Sequence, residues 1–164
     1  MSTELVEETE IIRKVKGVFG GDVLEVRIPR PRRIFIHVSK SAFKKTMRYL
    51  TQKGAFTQIS TITGIDVGEE IEVIYHLNHE GRIELSLKVQ TPRNNPLLPT
   101  ITDMIPGAIL YEREVHDLLG VSFEGHPDLS PLVLPEGWPS GVYPLRKEWT
   151  IEEIKKEVAK GERR

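Results

Sequence analysis

Histidine and carboxylate side chains are concentrated between residues 112 and 128, where their spacing could support metal binding or proton transfer. Glu112 and His116 are one helical turn apart, and His126 follows further along the chain. A zinc-protease helix presents two histidines to its metal, whereas this segment has one at that spacing. A structural charge network that includes an Arg113–Asp117 pair at i, i+4 is therefore the preferred interpretation. A stand-alone metal-dependent enzyme that uses Glu112, His116 and His126 is the alternative from another class.

His126 lies in the sequence Gly125-His126-Pro127-Asp128. Because Pro127 biases the preceding residue toward an extended backbone, we expect His126 in a turn where its ring hydrogen-bonds a carbonyl or a carboxylate. The competing hypothesis is a proton-handling group near a redox site. His76 and His79 are a weaker pair for metal binding, since positions i and i+3 of a strand face opposite ways.

The composition indicates a charge-rich protein with one core and no thiol chemistry. Of the 164 residues, 38% are hydrophobic, 29% are charged and none is cysteine. A chain without cysteine cannot ligate its own iron–sulfur cluster or form a zinc–thiolate site. No apolar run approaches the roughly 20 residues that cross a bilayer, and the acidic segment 1–10 is unlike a signal peptide, so we expect a cytoplasmic protein. The lack of cysteine on a Lys/Glu-rich chain is also typical of thermophiles.

Positive charge is concentrated in residues 27–53, which include nine Lys or Arg and no Asp or Glu, although the whole chain has a formal charge of −1. Such a stretch could bind nucleic acid, anionic lipid or an acidic electron-carrier protein. It offers little aromatic surface for base stacking, so no nucleic-acid partner is expected. The preferred interpretation is a solvated face paired with acidic residues such as Glu7, Glu8 or Glu10.

The elements that position these residues follow from hydrophobic periodicity and from turn residues. The predicted segments are a helix from Thr3 to Gly17, a strand at 34–38, a helix from Ser39 or Ser41 to Gly54, a strand at 56–63 with a turn at 64–68, a hairpin of strands at 70–77 and 83–89, a helix from Pro106 to Gly120 and a charged helix at 151–164. The hairpin alternates apolar and polar residues, which predicts an antiparallel or mixed sheet with helices on one face. The fold class is thus α+β, a two-layer sandwich.

We divide the chain into an α+β domain at 1–105, a helix with an extended docking arm at 106–150, and a charged C-terminal tail at 151–164. Residues 125–144 contain five prolines, which leave no room for regular structure. The arm also carries residue types that are common in interfaces, namely Trp138, Tyr143, Arg146 and Trp149. Because prolines lower the entropy lost on docking, these features favour an assembly subunit.

The junction between helix and arm carries a dense pattern of residue types: Glu112-Arg113-Glu114-x-x-Asp117-x-x-Gly120-Val121-x-Phe123-x-Gly125-His126-Pro127-Asp128-Leu129. This pattern resembles the signature of the thirty-kilodalton subunit family of respiratory complex I, whose members are also called its C subunits. Leu134-Pro135, Trp138, residues 144–149 and residues 71–77 are similar to further parts of that family. Leu110 and His116 depart from it, since the family often has Trp and Tyr there. These departures favour the related membrane-bound nickel–iron hydrogenases and ferredoxin-driven complexes of archaea.

The resemblance implies a subunit that ligates no cofactor and is not catalytic alone. It would hold a large hydrogenase-like subunit and a small iron–sulfur subunit together, within a membrane-anchored complex that couples electron transfer to ion translocation. The iron–sulfur clusters, and any nickel–iron centre, would lie in those partners, and a ferredoxin-type carrier is a further candidate partner. The chain would reach the cytoplasmic face of the membrane only through partner subunits. A quinone-reducing NADH dehydrogenase is the alternative complex. The predicted subunit-interface residues are Glu112, Arg113, Glu114, Asp117, His126, Asp128, Trp138, Tyr143, Arg146, Lys147 and Trp149.

Overall fold

A computed structural model describes residues 6–161, which form four α-helices and seven strands. In chain order they are α1 (Val6–Phe19), β1 (Val23–Arg30), β2 (Arg33–Val38), α2 (Lys40–Gln52), β3 (Gln58–Asp66), β4 (Glu70–His79), β5 (Ile83–Pro92), β6 (Leu97–Pro99), α3 (Ala108–Leu119), β7 (Ser122–Glu124) and α4 (Ile151–Gly161). Thr3, the predicted cap of the first helix, and the last three residues of the predicted tail lie outside the described residues.

Five strands form a mixed sheet in the order β1-β2-β5-β4-β3. β2 and β5 run parallel, with Ile34 opposite Leu85, and the other neighbouring pairs are antiparallel. The turn between β4 and β5 contains Glu80 and Gly81, both with positive φ, as expected for a tight hairpin turn. The predicted hairpin is therefore confirmed, and its second strand lies at the centre of the sheet.

One face of the sheet is buried under the helices, and the other is polar. Alternate residues of β2, β4 and β5 are fully buried and share one core cluster with side chains from α1, α2 and α3: Ile34, Ile36, Val38, Ile71, Val73, Tyr75, Leu77, Leu85, Leu87 and Val89 from the strands, with Val15, Phe43, Met47, Leu50, Ala108, Val115 and Leu119 from the helices. The opposite face carries half-buried Glu72, His76 and Lys88. This arrangement confirms the predicted α+β sandwich.

Several predicted boundaries were wrong. The first helix continues past Gly17 to Phe19, and β1, which was not predicted, follows it. β1 is an edge strand without a fully buried side chain, so its sequence lacks the alternation that predicts a strand. β3 does not turn at Gly64 but continues to Asp66. Gly64 is needed there for packing, because a Cβ at this position would lie 2.3 Å from Leu119 Cδ1 of α3.

The helices that flank the core were predicted more closely. Ser39 caps α2 by accepting a hydrogen bond from the Ala42 backbone N–H, and α3 ends at Gly120 in the left-handed conformation, with φ of 72°. Both features match the expected capping chemistry. α3 begins at Ala108, two residues after the predicted Pro106. This helix packs on β3 and carries four of the eleven predicted interface residues: Glu112, Arg113, Glu114 and Asp117.

Three of the nine cations of residues 27–53 pair with acidic residues other than those predicted. Arg27 pairs with Glu25, Arg33 with Glu84 and Lys44 with Asp103. Of the acidic residues in α1, Glu10 pairs with Arg13 and Lys14 of its own helix, and Glu8 accepts a hydrogen bond from the backbone N–H of Arg32 at 2.6 Å. Arg33–Glu84 joins β2 to β5 and Lys44–Asp103 joins α2 to the loop after β6, so these pairs replace the predicted pairing with α1.

Candidate docking arm and its buried carboxylates

The arm, defined here as residues 125–149, contains turns and bends but no helix or strand. It follows β7 and runs back along α3, which holds it through hydrogen bonds to its backbone. The absence of regular structure within the arm was predicted from its prolines. The sequence did not predict how firmly the arm is attached to its own domain.

Asp117 on α3 holds the middle of the arm. Its Oδ2 atom accepts hydrogen bonds from the backbone N–H groups of Leu132, Val133 and Leu134, at 2.7, 2.8 and 3.3 Å. The residue is only 6% exposed. Burial raises the pKa of the Asp117 carboxyl, but these three donors outweigh burial and hold the pKa below its usual value. The ionised carboxylate is thus an internal clasp for residues 132–134.

Arg113 holds the neighbouring part of the arm. Its guanidinium donates to the carbonyl oxygens of Ser130 and Pro131 at 3.0 and 2.9 Å and to Ser130 Oγ at 2.9 Å. Asp128 Oδ1 also accepts from the Ser130 backbone N–H at 2.8 Å. The predicted i, i+4 pair of Arg113 with Asp117 is not formed, because the two side chains reach consecutive parts of the arm instead.

Glu112 lies fully buried beneath the start of the arm. Its carboxyl oxygens accept hydrogen bonds from Thr100 Oγ1 at 2.5 Å and from the Ile101 backbone N–H at 2.9 Å. Burial raises the pKa of Glu112 to about 7, against the effect of these hydrogen bonds and of nearby Lys44. The side chain therefore joins α3 to the loop after β6, in a site where its charge is weakly stabilised.

His126 adopts the turn conformation that Pro127 predicted. Its Nε2 lies 3.1 Å from the Ile109 carbonyl oxygen, and its Nδ1 lies 3.1 Å from the Asp128 backbone nitrogen. Since Nδ1 must accept from that N–H, Nε2 carries the proton and donates to Ile109. The same Nε2 is 3.9 Å from Glu112 Oε2. His126 thus forms the predicted contact with a carbonyl, while a role in proton handling stays a prediction.

The residues of the proposed metal enzyme do not converge. Glu112 and His126 lie together, but the His116 ring is 2.9 Å from the Val121 carbonyl oxygen. Within residues 6–161, no group of three or more His, Asp or Glu side chains could hold a metal ion. His76 bonds Thr63 and Ser86 on the polar face, and His79 stacks near Phe56 in the core, so this pair also points apart. Elemental analysis of the purified chain tests the metal hypothesis directly.

The far end of the arm packs on the C-terminus of α3. The Tyr143 ring covers Gly120 so closely that a Cβ there would lie 2.5 Å from it. The Arg146 guanidinium stacks over the same ring at 4.5 Å, and its Nε donates to the Leu119 carbonyl oxygen at 2.8 Å. The Leu145 backbone N–H donates to the Leu118 carbonyl at 3.1 Å. These groups cap the helix, whose last carbonyls would otherwise lack partners.

Asp66 and Arg93 form a second clasp that the sequence did not reveal. Asp66 is 4% exposed, and its Oδ2 accepts from the Lys147 backbone N–H and from Arg93 Nε, both at 3.0 Å. Arg93 also pairs with Glu148. Burial raises the pKa of Asp66, and the Lys147, Gly68 and Arg93 donors lower it to below its usual value. The end of the arm is thereby held to the β3–β4 edge of the sheet.

The two tryptophans of the arm are partly buried. Trp138 Nε1 donates to the Val142 carbonyl oxygen at 2.7 Å, which closes a local turn. Trp149 Nε1 is buried and has no hydrogen-bond partner among residues 6–161. Glu114, Asp128 and the Lys147 side chain are exposed on the outer side of the helix and arm. The role of these and the other predicted interface residues in contacts between subunits stays a prediction.

The clasps leave apolar side chains on the outside of the arm. Leu132, Val133 and Leu145 are 41%, 53% and 56% exposed, although their backbones are hydrogen-bonded to the domain. A further apolar side chain, Leu110 on α3, is 55% exposed. Contiguous exposed apolar patches are typical of a surface that another protein covers, and the neighbouring residues Leu132 and Val133 are the candidates for such a patch. Within the described part of the chain, no helix has the length and apolar character to span a bilayer.

Comparison with known proteins agrees with the pattern at the junction. The model of the family described as "Respiratory-chain NADH dehydrogenase, 30 Kd subunit" matches residues 36–155. That range includes the second half of β2, the whole core hairpin, α3 and the arm. It also includes all of the predicted interface residues.

Individual relatives match most of the chain. It is 34% identical over 142 residues to the C subunit of the F(420)H(2) dehydrogenase of Methanosarcina mazei, covering 85% of this chain and 89% of that protein. It is 30% identical over 144 residues to the beta subunit of the membrane-bound hydrogenase of Pyrococcus furiosus, covering 84% and 83%. Among solved structures, a chain of the membrane-bound sulfane sulfur reductase, an archaeal respiratory membrane complex, superimposes with a TM-score of 0.77 at 28% identity, covering 94% and 92%.

Proposed function

Because the chain belongs to the family of the 30 Kd subunit of respiratory-chain NADH dehydrogenase, we propose that it is a non-catalytic subunit of a membrane-anchored redox complex. In this role it holds a large hydrogenase-like subunit and a small iron–sulfur subunit together, and the arm is the element that docks on them. Its relatives are subunits of complex I-like and membrane-bound hydrogenase-type complexes. The complex would couple electron transfer to ion translocation.

One observation carries this proposal. The arm has no hydrophobic core of its own, yet hydrogen bonds to the domain hold it in a single conformation. Asp117 and Arg113 bind the backbone of the arm, so Leu132 and Val133 are presented outward before any partner arrives. A pre-ordered surface loses less conformational entropy on binding than a flexible one. Leu132 and Val133 are therefore suited to a pocket on the large subunit.

Redox chemistry would belong to the partners. The chain has no cysteine, so iron–sulfur clusters, and any nickel–iron centre, would be ligated by the large and small subunits. A ferredoxin-type protein is a candidate electron donor. The chain would reach the cytoplasmic face of the membrane through these subunits.

The proposal is tested by substituting the outermost apolar residue in the middle of the arm. Val133→Asp, introduced into the chain co-expressed with its large subunit, should weaken recovery of the assembled pair at least about tenfold, because a carboxylate is costly in an apolar interface. Leu24→Asp on β1 is the matched control, since Leu24 is 57% exposed and Val133 is 53% exposed. Recovery measured by affinity capture and quantified by mass spectrometry should be unchanged for the control.

Equal recovery of the wild-type and Val133→Asp assemblies would refute docking through the arm. The large partner that is captured in this experiment also separates the two candidate complexes. Four nickel-ligating cysteines in its sequence would identify a hydrogenase. Their absence would favour a quinone-reducing NADH dehydrogenase or a sulfur-type reductase.

A further inference from the structure

A cavity lined by arginine lies where the β1–β2 turn meets the β4–β5 turn, at one end of the sheet. Its volume is about 420 Å³, and its lining includes Arg30, Arg32, Arg33 and Arg82. A volume of this size is within the range of ligand sites in proteins. None of these arginines takes part in the clasps that hold the arm.

Arg32 has an unusual backbone conformation, with φ of 66°. A left-handed residue in a turn is normally glycine, because a Cβ disfavours that conformation. Here the arginine side chain ties the two turns together: Nε donates to the Arg82 carbonyl oxygen at 2.5 Å, and Nη2 donates to the Gly81 carbonyl oxygen at 2.6 Å. The Arg32 charge is thereby fixed at the wall of the cavity, in a position that a glycine would leave neutral.

The positive charge of the cavity is only partly neutralised by the protein. Among residues 6–161, no carboxylate lies within 4.0 Å of the guanidinium groups of Arg30 and Arg32, and Glu8 binds only the backbone N–H of Arg32. The ion pairs at the rim are Arg33–Glu84 at 3.3 Å, Arg82–Glu80 at 3.2 Å and Arg82–Glu7 at 3.8 Å. Arg33 and Arg82 are thus already paired, and the guanidinium groups of Arg30 and Arg32 are the cations left to attract an anion.

We propose that this cavity binds an acidic segment of a partner protein. Guanidinium groups bind carboxylates through paired N–H donors, and a fixed group such as that of Arg32 loses little freedom on binding. The Arg33 and Arg82 side chains are 35% and 56% exposed, so a single small anion would be held weakly in water. Several carboxylates linked in one chain can engage several arginines at once, which raises the effective concentration of each.

This site is separate from the arm, so the proposal does not rest on the proposed function. It is tested by fluorescence anisotropy at low ionic strength, using the full-length chain and a fluorescein-labelled hexaglutamate peptide. Arg30→Gln/Arg82→Gln should weaken binding about tenfold, the loss expected when two exposed ion pairs are removed. Lys45→Gln/Arg48→Gln on α2 is the control, because these side chains are also exposed and the change in net charge is the same.

Arg32→Gly provides a second variant that can keep the left-handed backbone of the turn, since glycine is suited to that conformation. It should also weaken peptide binding, with the temperature of thermal unfolding measured in parallel. Equal weakening by the cavity and control variants would overturn the proposal in favour of general electrostatic attraction. Inorganic phosphate is added as a competitor at a concentration that supplies as much negative charge as the peptide. If phosphate displaces the peptide, or if a single-stranded oligonucleotide binds more tightly than the peptide, the ligand is a phosphate group and the proposal of an acidic protein segment is wrong.

Discussion

The Glu112→Gln variant should be more stable than the wild-type protein, and its advantage should grow as the pH rises. Glutamine can accept from the Ile101 N–H through its carbonyl oxygen and bond Thr100 Oγ1 through its amide nitrogen, so both hydrogen bonds of the buried side chain can be retained without a charge. The wild-type carboxyl must instead ionise in a buried site. The comparison therefore isolates the free-energy cost of one buried charge.

The magnitude follows from the two pKa values. Burial raises the pKa of Glu112 from 4.5 to about 7, so between these values the folded state holds a proton that the unfolded state has released. Stability is then lost as the pH rises through this window, and is constant with respect to this group above it. A shift of this size corresponds to about 3 kcal/mol. From about pH 5 to about pH 8, the advantage of the variant should grow by about 2 to 3 kcal/mol.

Urea unfolding followed by circular dichroism at both pH values measures the difference. Other titrating groups, including His37 and His76, are common to both proteins and cancel in the comparison. Glu114→Gln, two residues along α3 at an exposed position, is the control and should leave the pH dependence of the wild-type protein unchanged. If the Glu112→Gln variant has the same advantage at both pH values, the Glu112 carboxyl does not carry a proton in the folded state near neutral pH.

Two further predictions concern the attachment of the arm. Asp117→Asn removes a charged acceptor from three backbone N–H groups and should weaken the local fold of the arm by about 1.5 to 3 kcal/mol. Amide hydrogen exchange at residues 132–134 should accelerate relative to the β4–β5 hairpin, and unchanged exchange at residues 132–134 would contradict the clasp. Gly120→Ala should destabilise the protein by more than about 2 kcal/mol, because it combines a left-handed φ with overlap of the Tyr143 ring. Gly141→Ala is the matched control, since Gly141 also has a positive φ, +80°, but has open space around it. Equal urea midpoints for the two variants would show that the Tyr143 ring does not restrict the side chain at position 120.

The sequence predicts those parts of the fold in which the spacing of apolar residues follows directly from which side chains are buried. The alternation of Ile71, Val73, Tyr75 and Leu77 places one face of β4 in the core, and Gly120 marks the end of α3 because it has the left-handed conformation. Strand β1 was missed since an edge strand with few buried residues has no such period. The three-residue strands β6 and β7 are too short for any period to appear.

The contacts of the arm depend on the path by which it folds back on the domain. Local sequence patterns carry no information about that path. The sequence places Asp117 on the polar face of α3, but nothing near it in the chain indicates that residues 132–134 supply its donors. Asp66 is 81 residues from Lys147, whose backbone N–H donates to it. Its own turn was recognisable, since the Asp66 side chain accepts from the Gly68 N–H in a common Asx-turn pattern.

The clasp at Asp117 has a consequence for how the surface of the arm can diversify. Asp117 recognises only backbone N–H groups at positions 132, 133 and 134, and every residue except proline supplies that donor. Side chains at these positions can therefore be exchanged without changing the path of the arm. α3 therefore fixes the position of the contact surface, while the side chains at positions 132–134 can vary to match the partner that binds there.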